Sequence, residues 1–278
     1  MSMKYNKIRN LHWISQKKIL KKQFNINIDS FFSAPYTFFK AGLYIELSSV
    51  LAFIIQNTPI TPNLITIMYA LLGIIGGFFL GSGNENLIII GIFIIFFNGV
   101  LDWTDGLIAR LKKSVSPLGS LLDEWAGLIV SYSFIIGFGL YLFNKTGQIN
   151  FISLLILIIF VRALDLKNYF YQNTTYKLYK FEINKIQLKR KYLSKNNLKK
   201  YRVSKLVNFL KEILQKTFDD RSRSIDLICA LILLDIFYKD IVLLEYIYIF
   251  IALKYIILFL GGFYLIYFKK YLNKLLLK

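Results

Sequence analysis

The chain has 278 residues, is 56% hydrophobic and carries a formal net charge of +19. Its apolar residues are gathered in long runs, which excludes an ordinary soluble domain and predicts an all-α polytopic membrane protein. A single cysteine, Cys229, excludes an intrachain disulfide or a multi-thiolate metal site; its apolar surroundings predict a small buried hydrophobe.

The N-terminal stretch is polar and basic, with Lys4, Lys7, Arg9, Lys17, Lys18, Lys21 and Lys22. It lacks the apolar core and small-residue cleavage site of a signal peptide. His12 stands alone in it, without a metal-binding partner, and is expected to be solvated or interfacial. Residues 31–57 mix Phe, Tyr, Leu and Ile with Lys40, Glu46, Ser48 and Ser49, which predicts an amphipathic helix lying in the membrane interface. Pro59 and Pro62 then break the chain. Thr61-Pro62-Asn63 is a helix start, with Thr61 as cap and Pro62 at the first helical position.

A membrane-spanning helix needs about 20 mostly apolar residues. Six stretches meet that need: 62–82, 86–107, 118–142, 149–169, 225–241 and 244–268. The fifth is short and holds Asp235, and Lys254 falls within the sixth; a buried pair between neighbouring helices is the expected reading of the two. The predicted organisation is a cytoplasmic basic N-terminus with the interfacial helix over residues 1–60. A six-helix membrane domain over 61–278 follows, with a basic insertion at about 170–224. That insertion carries fifteen Lys and Arg against four acidic residues, and Leu178, Phe181, Leu188 and Tyr192 recur at roughly helical spacing. Tethered by apolar spans on both sides, it is expected on the anionic inner leaflet and not on nucleic acid.

With six spans, the basic N-terminus, the Arg110–Lys112–Lys113 loop, the insertion and the Lys269–Lys278 tail all fall on one side, while the opposite loops carry little positive charge. Both termini and the loop after the second span are therefore expected in the cytoplasm.

That second loop follows the most informative run of the chain, Asp102-Trp103-Thr104-Asp105-Gly106-Leu107-Ile108-Ala109-Arg110, continued by Gly119 and Asp123. Asp102 and Asp105, three apart, share a helix face, and Asp123 begins the next span. Carboxylates at a membrane boundary are costly unless they hold something positive. Oxygen ligands suit Mg2+ or Mn2+, so the metal ligands predicted are Asp102, Asp105 and Asp123, and a metal beside an arginine points to phosphate chemistry. Gly106 leaves room for a ligand to pack, Ala109 keeps the next turn small, and Gly119 is expected to let the second and third spans approach closely. Arg110 either neutralises a phosphate or pairs with an aspartate. Salt bridges from the aspartates to Arg110, Lys112 and Lys113 would explain the charges but not the small residues.

This spacing resembles the signature of the CDP-alcohol phosphotransferase (CDP-alcohol phosphatidyltransferase) family: Asp-x2-Asp-Gly-x2-Ala-Arg-x8-Gly-x3-Asp-x3-Asp. Asp102, Asp105, Gly106, Ala109, Arg110, Gly119 and Asp123 fill their places; at the last, the chain has Gly127. The resemblance implies a membrane transferase that moves a substituted phosphate from a CDP-alcohol donor to an acceptor hydroxyl and releases CMP. The donor class includes CDP-diacylglycerol, and the setting is phospholipid or polyol-phosphate biosynthesis. It also implies a homodimer, and donor contacts at Asn63, Gly106, Ala109, Arg110 and Gly119; for the Asn63 segment, a cap alone is an equal reading. The family's final aspartate is its general base, and Gly127 cannot take that role. Asp123 and its neighbour Glu124 are the catalytic candidates that remain, although Glu124 points about 100° away on a regular helix. Asp165, Asp219, Asp220 and Asp226 are further carboxylates near the same face. Arg162, Arg221 and Arg223 are the candidates for an acceptor phosphate, Arg162 having Asp165 as an alternative partner. A relative that binds a CDP-linked ligand or supports a partner enzyme without catalysis is the second reading, motivated by Gly127.

Overall fold

The computed structural model describes residues 3–24, 35–164, 222–238 and 242–267. Among these, all regular structure is helical: α1 (Tyr5–Phe24), α2 (Pro35–Ile55), α3 (Pro62–Leu80), α4 (Glu85–Leu111), α5 (Pro117–Thr146), α6 (Asn150–Ala163), α7 (Ser222–Tyr238) and α8 (Leu243–Tyr267). The basic insertion up to residue 221, Asp165, Asp219, Asp220, Arg221 and the C-terminal lysines lie outside the described residues, as does the side chain of Arg223.

Five helical stretches among the described residues are long and apolar enough to cross a membrane: Phe38–Ile55, Pro62–Leu80, Glu85–Leu111, Pro117–Thr146 and Leu243–Gly261. The chain is thus a multi-pass membrane protein, with five span-length helical stretches among the described residues. Of the stretch predicted at 149–169, the described residues form the apolar helix Asn150–Ala163, and of that at 225–241 they form the 17-residue α7; residues 165–169 and 239–241 lie outside the described residues. The stretch predicted to lie in the interface, residues 31–57, holds α2, a helix long and apolar enough to cross a membrane.

The reason lies in what the polar groups of α2 do. Lys40 pairs with Asp226 of α7 at 2.5 Å. Glu46 receives Arg9 Nε at 2.6 Å and the Tyr5 hydroxyl and Trp13 Nε1 at 3.1 Å, all from α1. Ser48 and Ser49 donate to the carbonyls of Tyr44 and Ile45. The pattern that reads as a wet face is internally satisfied, and the exposed side chains are Phe39, Leu43, Leu47, Val50, Phe53 and Ile54.

The chain divides into two compact units, Met1–Ile152 with Asp219–Glu245 and Ser153–Phe218 with Tyr246–Lys278. In the first, α3 packs along both α4 and α5, α2 packs along α4 and α1, and α7 packs on α4. Small residues make the close crossings: a methyl on Gly77 would stand 2.9 Å from Ser133 Cβ of α5, and one on Gly91 of α4 would stand 2.9 Å from the Gly76 carbonyl oxygen of α3. Where α3 starts and α4 ends, Lys112 Nζ ties the two together by donating to the carbonyls of Thr58 and Ile60 at 2.7 and 2.8 Å. In the second unit, the Arg162 guanidinium of α6 lies 4.9 Å from the centre of the Tyr255 ring of α8.

Candidate active site

Three helix ends meet at one end of the first unit, and each is shaped by its own residues. Thr61 caps α3 by accepting the Leu64 N–H at 3.2 Å, with Pro62 in the first turn. Ser116 caps α5 by accepting the Gly119 N–H at 3.0 Å, with Pro117 following it. Between them α4 closes through the Ser114 N–H to the Ala109 carbonyl at 2.9 Å and a left-handed Lys113, φ 53°. Lys113 is the sole non-glycine residue with positive φ among the described residues.

This end carries the motif. Asp105 is 7% exposed and accepts the Thr66 hydroxyl of α3 at 2.6 Å. The carboxyl groups of Asp102 and Asp123 face each other closely enough to share a proton. Two carboxylates so placed cannot both stay charged unless a cation or a proton lies with them. All three aspartates act electrostatically on Tyr69 of α3. No ion pair joins them to Arg110, Lys112 or Lys113 among the described residues, so the boundary salt bridges do not form; Lys112 is spent on backbone carbonyls.

Among the described residues no three His, Cys, Asp or Glu side chains are gathered as a ready metal-ligand set. The local bonding explains this: Asp105 is turned to Thr66, while Asp102 and Asp123 are turned to each other. The donor chemistry still suits a hard divalent cation, being all oxygen, with two carboxyl groups in mutual repulsion and a third alongside.

The remaining predicted residues are distributed as follows. Arg110 folds back over Gly106: a methyl on Gly106 would stand 3.4 Å from Arg110 Nη1. Ala109 is half-buried on the adjoining turn. Gly119 does not mediate the approach of α5 to α4; its open face meets Asn63 Oδ1 of α3, 3.3 Å from where a methyl would stand. Asn63, Lys112, Ser114 and Ser116 line a cavity of about 360 Å³ together with Pro59–Pro62. Because α5 is regular from Pro117 onward, the irregular start that Glu124 needed is absent, and Glu124 is exposed on a different face from Asp123. Asp226 is held by Lys40. Arg162 belongs to the second unit and lies over Tyr255.

The CDP-alcohol phosphatidyltransferase family model matches residues 59–189, just under half of the chain. The match contains the whole motif, the cap at Thr61 and the residues lining the cavity. No curated protein matches the chain.

Four features of this family segment and its surroundings carry no signal in the sequence. Tyr69 is one of many aromatic residues in apolar runs, and only the fold brings its hydroxyl within 3.9 Å of where a methyl on Gly127 would stand. Asn98, one helical turn before Asp102, is 1% exposed and its amide has no hydrogen-bond partner among the described residues. Lys40 comes from α2 to act electrostatically on Asp102. His12 is fully buried, not solvated: its ring meets Ser48 Oγ at 3.1 Å and Gln16 Nε2 at 3.2 Å and stands edge-on to Trp103 of the motif. Burial, with Arg110 acting in the same direction, lowers the His12 pKa to about 4.

Proposed function

We propose that this chain is an integral-membrane CDP-alcohol phosphotransferase working at the shared end of α3, α4 and α5, with that end and both termini in the cytoplasm. The observation that carries the reading is the pairing of Asp102 with Asp123 near Asp105, at the same helix ends as a cavity lined by Asn63, Lys112, Ser114 and Ser116. The donor is a CDP-linked alcohol, CDP-diacylglycerol being one candidate. The acceptor is a hydroxyl compound of phospholipid or polyol-phosphate synthesis. The basic α1 lies at this same end, in keeping with a cytoplasmic face. A homodimer is expected from the family resemblance.

Asp102, Asp105 and Asp123 would hold Mg2+ or Mn2+, which when bound offsets the charge of the donor's phosphates. Asn63, Gly106, Ala109, Arg110 and Gly119 form the donor side: the small residues leave space, and the guanidinium of Arg110 pairs with phosphate oxygen. The acceptor oxygen bonds to the β-phosphorus of the donor, the bond from that phosphorus to the oxygen of CMP breaks, and the acceptor's proton ends on Asp123. Arg162, Arg221 and Arg223 remain candidates for an acceptor phosphate.

One observation favours a second reading, a relative that binds a CDP-linked ligand or supports a partner enzyme without turnover. The side of Gly127 where the family carries its base is open, and the nearest atom to a methyl there is Tyr69 Oη, at 3.9 Å. The two readings separate in one assay. Purified protein in lipid is given Mg2+ or Mn2+, CDP-diacylglycerol or CDP-choline, and pooled hydroxyl acceptors. CMP release that a chelator abolishes supports the transferase; CDP binding without release, with release created by Gly127→Asp, supports the second reading.

A further inference from the structure

We propose that the side-chain amide of Asn98 binds a neutral hydroxyl of the acceptor and forms the inner wall of the site; this rests on the transferase reading above. Asn98 stands at the midpoint of the span-length helix α4 and is 1% exposed. Neither its Nδ2 nor its Oδ1 has a hydrogen-bond partner among the described residues. A polar group buried without a partner is costly, most of all inside a membrane span, and is uncommon without a reason. Its place gives the reason, because the contacts of α3 set the levels along α4 and α5. Thr66 of α3 meets Asp105 of α4. About one turn inward, Tyr69 Oη is the nearest atom to a methyl placed on Gly127 of α5, at 3.9 Å. One turn further, a methyl on Gly73 would stand 3.0 Å from Asn98 Nδ2 and 2.5 Å from Val130 Cγ2 of α5. Asn98 also shares a helix face with Asp102, four residues on, and lies about 6 Å inward of it along the axis.

The two glycines at these levels differ. At Gly73 there is no room for a side chain, so α3 is held close against the amide; at Gly127, one level nearer the motif, the side facing Tyr69 is open. A hydroxyl in that opening has the motif carboxylates on its outer side and the Asn98 amide on its inner side. The chemistry of the amide selects this ligand. Its oxygen accepts and its nitrogen donates, and a hydroxyl can serve either. A phosphate would bring a charge that a neutral amide does not offset within a span. Asn98 takes no proton, and no bond is made or broken on it. It holds the acceptor by a hydroxyl while phosphate transfer proceeds at the level of the motif.

The test compares Asn98→Leu, which removes the amide but keeps a branched side chain, with Asn98→Ala, so that crowding against Gly73 in the first cannot decide the result. Both are assayed in lipid vesicles with Mg2+. CDP-diacylglycerol and CDP-choline are the donors. Glycerol 3-phosphate, inositol phosphate, serine and diacylglycerol are the acceptors. KM for acceptor and donor, kcat, CDP affinity and melting temperature are measured on each variant. Both substitutions are expected to raise the acceptor KM about tenfold, the loss of one hydrogen bond, with donor KM and CDP affinity unchanged. Asn98→Leu is expected to melt no lower than the unsubstituted protein, because it removes an unpaired buried amide. An unchanged acceptor KM in both variants overturns the assignment while leaving the transferase reading intact. So does a loss of CDP affinity as large as the rise in acceptor KM, which would make Asn98 a support of the whole site. A lower melting temperature in Asn98→Leu with acceptor KM unchanged would show an amide that holds only structural water, and overturns it as well. No CMP release from the unsubstituted protein overturns both readings.

Discussion

Two groups of carboxylates in the first unit sit at opposite ends of the same helices and are treated differently. At the far end, Asp235 of α7 is 2% exposed and fully partnered: Lys145 Nζ donates to its two oxygens at 2.7 and 2.8 Å, and the Tyr141 hydroxyl donates at 2.5 Å. At the motif end, three carboxylates share one threonine hydroxyl and each other. The nearby cations are otherwise engaged, Lys40 with Asp226 and Lys112 with backbone carbonyls. The first arrangement is what stability demands of a buried charge. The second holds excess negative charge at a membrane boundary, which is costly for stability and useful to a site that takes a divalent cation.

The contrast breaks most sharply on removal of one carboxylate from each end. Asp235→Ala strands Lys145 and Tyr141 and is expected to cost about 3 kcal/mol of stability, read by denaturant unfolding in detergent. Asp105→Ala relieves repulsion and is expected to raise the melting temperature without metal, because it removes charge without stranding a cation. A loss of stability in Asp105→Ala comparable with that in Asp235→Ala would mean that the motif carboxylates are also structural.

His12 sharpens the comparison from the α1 side. Its folded pKa, about 4, lies below the ordinary value of 6.5, so the unfolded chain takes up the proton first. Stability is therefore complete above pH 6.5 and falls as pH drops from 6.5 to 4, by about 3 kcal/mol over the window. His12→Gln should flatten that dependence, and an unchanged pH profile would show that α1 does not bury the imidazole against Trp103. The smallest effect is expected at Gly119, where an added methyl stands 3.3 Å from Asn63 Oδ1. Gly119→Ala should weaken CDP binding a few-fold while changing stability by less than about 1 kcal/mol. A stability loss with CDP affinity unchanged would detach Gly119 from the donor side.

What the sequence made legible was local. The cap at Thr61, the helix carrying Asp102 and Asp105 on one face, and the placement of Asp123 at the start of the next helix all follow from neighbours a few residues apart. What it hid was long-range pairing. The polar residues of α2 read as a wet face because their partners, Arg9 and Asp226, lie 37 and 186 positions away. Asp235 reads as the mate of Lys254, whereas the structure gives it Lys145 and Tyr141 of α5. Tyr69 could not stand out from the other aromatics until the fold set Gly127 beside it.

The most direct test sets the two ends side by side: CMP release per folded molecule by Asp105→Ala and Asp235→Asn, with Mg2+, CDP-diacylglycerol and pooled acceptors. Release at background from Asp105→Ala, with the rate per folded molecule kept in Asp235→Asn, is the predicted result. An Asp105→Ala protein that releases CMP at the unsubstituted rate would contradict the assignment of the motif end as the transferase site.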